Sequence, residues 1–122
     1  MEALIIKPTP KSLDIKCMPG EINLKGNSIL EDPKVFFEPV QNWIDDYLKQ
    51  PEERTTINLK LEYVDTASIH GIQEILARLR VLKNRGHEII VNWYYDIDDP
   101  ELLELGEIMD TRLKMDLNLI KY

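Results

Sequence analysis

The stretch from Thr55 to Leu82 changes its hydrophobic period once, and that change constrains the fold more than any other feature. "TTINLKLEYV" alternates, so Ile57, Leu59 and Leu61 share one face of a strand and Tyr63 continues the row. Four residues later the period lengthens: Ile69, Ile72, Ile75, Leu76, Leu79 and Leu82 recur at three- and four-residue spacing. Arg78, Arg80, Lys83 and Arg85 collect near the end of that helix, and Gly86 stops it. A strand that turns sharply into an amphipathic helix belongs to a layered α/β fold.

The rest of the chain extends this pattern. Ala3 to Ile6 make a short strand, and "SLDIKC" and "EINLKG" flank "MPGE", whose Pro19 and Gly20 mark a hairpin turn. Asp32 caps a helix that opens on Pro33; Val35, Phe36, Val40, Trp43, Ile44, Tyr47 and Leu48 carry its periodicity over residues 33–49. "HEIIVNWYYD" is a further strand, "DDPELLELGEIMDTRL" a further helix with Leu102, Leu103, Leu105, Ile108 and Met109 facing inward, and "MDLNLIKY" a closing strand. The order predicts one mixed β-sheet over residues 1–122, covered mainly on one side by about three helices, with parallel pairing wherever a helix crosses over. At 122 residues a single core suffices, without metal or disulfide staples.

Charge and cysteine usage exclude several functions. A formal charge of −7 repels a phosphate backbone, and no basic stripe interleaved with aromatics offsets it, so nucleic-acid binding is not expected. Cys17 is alone and has no neighbours at metal-ligand spacing, which fits a reducing cytoplasm. The opening "MEALIIKPTP" is too short in its apolar run, and too broken by Pro8 and Pro10, to act as a signal peptide or to insert in a membrane.

Chemistry concentrates at "YVDTASIHGI", where Asp65, Thr66 and Ser68 sit between strand and helix. Helix capping explains three such oxygens, with the first-turn amides directed at the Thr66 hydroxyl. The same geometry suits a phosphate on Thr66, because the helix end favours an anion. A phosphate there adds about −1.5 to −2 charge beside Asp65 and opposes any partner that docks on a neutral hydroxyl. A hydrolase would need Thr66 or Ser68 as nucleophile, His70 as base and Asp65 as its orienting acid, all crowded into one short segment with no oxyanion loop. His70 is better read as a surface or boundary residue. Asp96, Asp98, Asp99 and Glu101 lack the glycine and the closing glutamate of a calcium loop, so no metal site or other cofactor is expected; they read as a cap and a solvated acidic face. Trp43 belongs to the core. In "NWYYD", Trp93 and Tyr95 point one way and Tyr94 the other, which directs attention to that end of the sheet for a binding surface.

Three segments in order, "GEINLKGNSILEDP", "YVDTASIHGI" and "VNWYYDIDD", resemble the SiaC-type regulatory phosphoproteins, and the element order is similar to anti-sigma-factor antagonist domains of the STAS type. The resemblance implies a STAS-like bacterial switch protein that is not itself an enzyme. It implies phosphorylation on Thr66 by a dedicated serine/threonine kinase and removal of the phosphate by a PP2C-like phosphatase. The unphosphorylated form is then expected to bind and activate a diguanylate cyclase through Asp65, Thr66 and Ser68, raising cyclic di-GMP and favouring biofilm. An anti-sigma-factor antagonist in a partner-switching cascade is the alternative. Where the family pattern reads Asn, Thr, Ser, Ser, this chain has Asp65, Thr66, Ala67 and Ser68, so the threonine is retained beside an acidic neighbour.

Overall fold

In the computed structural model, which describes residues 1–122, the strands run β1 (Leu4–Ile6), β2 (Asp14–Met18), β3 (Glu21–Ser28), β4 (Arg54–Val64), β5 (Glu88–Tyr95) and β6 (Asn118–Lys121). The helices are α1 (Pro33–Tyr47), α2 (Thr66–Leu79), the single turn α3 (Val81–Asn84) and α4 (Pro100–Leu113). Strand order in the six-stranded sheet equals chain order. β1, β2 and β3 pair antiparallel; β3 through β6 pair parallel. Three successive right-handed crossovers that step in one direction must lay α1, α2 and α4 on the same face, which is the one-sided cover expected from the sequence.

The alternation chooses which face they cover. Ile15 and Cys17 on β2, Ile22 and Leu24 on β3, Ile57, Leu59 and Leu61 on β4, and Val91 and Trp93 on β5 are all buried against helix residues that include Phe37, Val40, Ile44, Ile72, Leu76 and Met109. Burial pushes the Cys17 thiol up to about 12, so at neutral pH it is a protonated, inert core side chain. Trp43 stacks on Tyr47 in the same core. The opposite face is open and carries one polar device. Asn23, Asn58, Asn92 and Asn118 stand in register on adjacent parallel strands; Asn58, Asn92 and Asn118 each donate a side-chain amide to the side-chain carbonyl of the asparagine before it, at 2.9, 2.9 and 3.1 Å. A one-residue slip of any parallel strand would break this row as well as expose its core face.

Three features differ from the sequence expectation, one of them Ile108, which is expected on the inward face of α4 but is 39% exposed. The long helix after Thr66 ends at Leu79, and Arg80 turns the chain into α3; Arg80 and Lys83 then donate to the carbonyls of Leu113 and Lys114, at the C-terminal end of α4. Tyr63 does not continue the buried row. Gly26 pairs with Leu61 but Ser28 with Val64, so β4 holds one more residue than β3 across this interval, and the bulge turns Tyr63 outward to 72% exposure.

Gly106 on α4 shows how closely helix and sheet approach. A Cβ there would lie 2.7 Å from Trp93 Cδ1 and Nε1 and 2.8 Å from Leu119. Helix propensity alone favours Gly106→Ala by about 1 kcal/mol. Overpacking costs about 1–3 kcal/mol and Trp93 is fully enclosed, so the steric term is expected to win. Urea unfolding should show a lower midpoint for Gly106→Ala than for the parent.

Candidate functional site

The corner between β4 and α2 is organised by Asp65. Its backbone is extended, its amide donates to Ser28 O at 3.0 Å, and its carbonyl accepts the first helical bond from Ile69. Oδ1 accepts the Ser68 amide at 2.8 Å and Oδ2 accepts the Leu30 amide at 3.1 Å. One carboxylate therefore caps α2 and fastens the β3–α1 loop to it. The neighbouring Ser68 hydroxyl holds the Asp65 pKa below the usual carboxylate value; partial burial opposes this, and the Ser68 and Leu30 amides add to the lowering. That hydroxyl nevertheless falls short of hydrogen-bond geometry to any partner.

Capping thus falls to Asp65 and not to Thr66, a correction to the reading that directs the first-turn amides at the threonine. Thr66 is the first helical residue, exposed, with its hydroxyl outside every hydrogen bond of the corner. The amides of Thr66 and Ala67 precede the first intrahelical bond and have no partner within the helix. Ser68 also differs from expectation. The sequence sets it with Asp65 and Thr66 on the partner surface, but its side chain is 0% exposed. It can act on a partner only by shaping the position of Asp65. Asp65 itself is half-buried.

A nucleophile, base and acid arrangement finds no support here, because the acid it would use is already bound to two backbone amides. His70 is exposed on α2, in a shallow groove with Lys34, Phe37 and Arg78 between α1 and α2. The acidic run after β5 is turn and cap: Asp96 Oδ1 accepts the Asp98 amide at 2.8 Å, and Asp99 Oδ1 accepts the Leu102 amide at 3.1 Å. No three His, Cys, Asp or Glu side chains are grouped to hold a metal ion.

At the end of the sheet to which "NWYYD" directs attention, a groove of about 820 Å³ lies between α2 and α4, at the C-terminal ends of the parallel strands; its two walls come from separate segments and are not visible in the sequence. Tyr63 and Val64 of β4 and Ile69 of α2 line it together with Leu105 and Ile108 of α4 and with Tyr122. Tyr95 packs toward the core while Tyr94 stands in register with Lys60 on the open face, the division that alternation predicts. No helix is long and apolar enough to cross a membrane.

Fold and corner together define a small mixed-sheet α/β domain that presents a lone threonine hydroxyl at a helix start. The model of one family, described as SiaC family regulatory phosphoprotein, matches residues 7–122, and the chain belongs to that family. An uncharacterized protein of Pseudomonas aeruginosa strain UCBPP-PA14 is 27% identical over 88 residues, which span 72% of this chain and 70% of that one. The crystal structure of apo-SiaC from Pseudomonas aeruginosa shares the fold, with a TM-score of 0.89, 24% identity and coverage of 98% of this chain and 99% of that chain. SiaC in its complex with the diguanylate cyclase SiaD, which it is described as activating, matches with a TM-score of 0.87 and 23% identity over 98% of this chain and 99% of that chain.

Proposed function

We propose that this chain, when unphosphorylated, binds and activates a diguanylate cyclase, and that a phosphate on Thr66 blocks the docking. A serine/threonine kinase adds that phosphate and a PP2C-like phosphatase removes it, so cyclic di-GMP synthesis and biofilm formation follow the state of one residue. The observation that carries the reading is the freedom of the Thr66 hydroxyl: exposed, unpaired, and relieved of capping by Asp65. Family membership and the cyclase complex of the related SiaC supply the class of partner. The chain itself serves as a regulatory binding protein in the cytoplasm and not as an enzyme.

Intact mass and fragmentation of protein from its native cell, with phosphatase inhibited, should locate one phosphate on Thr66 under some growth condition. Its absence from Thr66 under every condition would end the switch reading. Co-purification of the unphosphorylated chain should recover a cyclase; recovery of an anti-sigma factor in its place would move the chain to another cascade.

A variant separates acceptor from cap. Thr66→Ala is expected to change stability by less than about 0.5 kcal/mol, because no bond of the corner is lost. A capping threonine would cost about 1 kcal/mol on the same change. Thermal melting resolves the two.

A further inference from the structure

We propose that the groove between α2 and α4, at the C-terminal ends of the parallel strands, receives a basic, amphipathic segment of the partner protein, with its apolar side against Tyr63, Ile69, Leu105 and Ile108 and its lysines and arginines toward the carboxylates of the β5–α4 loop and the start of α4. The inference deepens the proposed function by naming the surface next to Thr66, and it relies on that reading for the partner's class.

The lining divides into two chemistries. Tyr63, Ile69, Leu105, Ile108 and Tyr122 supply apolar area. Tyr63 is pushed outward by the β4 bulge, and nearby Ile97 in the β5–α4 loop is 64% exposed. Glu62, Asp96, Asp98, Asp99, Glu101 and Glu104 supply carboxylates, and no Lys, Arg or His lines the groove. The chain's own basic run, Arg78 to Arg85, lies at the far end of α2 and in α3, just before β5 begins. At that far end the positive charges meet carboxylates, Arg78 with Asp45, Lys83 with Asp116 and Arg54 with Glu88, whereas the carboxylates of the groove face no lining cation. One cation already sits at the rim: Lys60 Nζ lies 4.4 Å from the centroid of the Tyr122 ring. Glu62, Asp96 and Asp99 lie close enough to raise the Tyr122 pKa, after burial, the largest cause.

These halves divide the work of docking. Carboxylates of the β5–α4 loop and the start of α4 attract a basic segment at long range and speed encounter, while the apolar residues close dry and hold it. Thr66 does not line the groove itself, but it follows Val64 by two residues and precedes Ile69 by three, and both of these do. A phosphate on Thr66 must lose its water when the segment seats against those residues. This reconciles a basic partner with inhibition by an added negative charge: the charge does its harm through desolvation on the side where the partner brings apolar groups.

The test uses the full chain and a synthetic peptide of lysines and leucines at amphipathic spacing, with a glutamate-for-lysine counterpart, observed by amide chemical shifts. The lysine peptide should bind, shift Tyr63, Ile69 and Ile108, and weaken as salt rises; the glutamate peptide should not bind. Asp98→Lys, Glu101→Lys and Glu104→Lys combined should weaken the lysine peptide at least about tenfold. The same charge change at Glu21, Glu31 and Glu38, outside the groove, should alter its affinity less than about threefold. Equal losses in the two triple variants, or shifts spread away from the groove in the parent, would overturn the proposal. The shift map needs no variant, so misfolding of either variant leaves the test standing. Peptide binding at the groove with no cyclase bound would overturn the cyclase reading alone; cyclase binding unaffected by the groove variant would overturn the groove alone.

Discussion

Thr66→Glu is expected to weaken cyclase binding by about 30-fold to a few thousand-fold, because an unpaired charge enclosed by an interface costs about 2–5 kcal/mol and each 1.4 kcal/mol is tenfold. Thr66→Ser and Thr66→Ala should bind like the parent, since neither adds charge and the threonine hydroxyl holds no bond within the corner. The three variants should unfold alike, as the position is exposed. Calorimetric titration against the purified cyclase distinguishes them. If Thr66→Glu binds as tightly as Thr66→Ser, Thr66 lies outside the interface and charge there has no leverage.

Asp65→Ala should have the largest effect on stability. It removes the α2 cap, worth about 1–2 kcal/mol, and leaves the Leu30 amide without its acceptor, worth a further 1–2 kcal/mol or so. Asp65→Asn should lose less, since its single carbonyl oxygen can still accept one of the two amides. Acid has a related effect with a definite sign. The folded-state pKa of Asp65 lies below the unfolded one, so its contribution is present above the unfolded value of about 4 and is lost as pH falls through the folded pKa. Unfolding measured from pH 7 down to acid should therefore show a shallower loss for Asp65→Asn than for the parent over that window. Parallel curves would mean that Asp65 is not a significant linkage group.

Local periodicity makes most of this fold legible. Ile57, Leu59 and Leu61 indicate the core face of β4, and Asp32–Pro33 and Asp99–Pro100 mark two helix starts, because alternation and capping are properties of neighbouring residues. Less legible were features that depend on two segments at once. The β4 bulge arises from register against β3, and it moves Tyr63 from the core row to the surface. Ser68 looks like an accessible first-turn hydroxyl in sequence but is fully enclosed, with its amide bound to Asp65. The second carboxylate bond of Asp65, to Leu30, spans 35 positions and has no local signature. A signal for the sheet register does lie in the sequence: Ile22-Asn23-Leu24, Ile57-Asn58-Leu59, Val91-Asn92-Trp93 and Leu117-Asn118-Leu119 repeat one apolar-Asn-apolar triplet at each parallel strand, and their asparagines form the hydrogen-bonded row.

The same distinction applies to the candidate site. A hydroxyl at a strand-to-helix corner is visible in the sequence, but its freedom is not, because that depends on which oxygen wins the Ser68 amide. Asp65 wins it at 2.8 Å and leaves Thr66 exposed. The groove likewise brings β4, α2, the β5–α4 loop, α4 and Tyr122 together, and no single stretch of sequence contains it.

The most direct test compares the chain phosphorylated stoichiometrically on Thr66 with the unmodified chain, in titrations against the diguanylate cyclase from the same cell at one ionic strength. The unmodified chain should bind and stimulate the cyclase, and the phosphorylated chain should bind at least about a hundredfold more weakly. Equal affinity of the two forms would contradict a switch at Thr66.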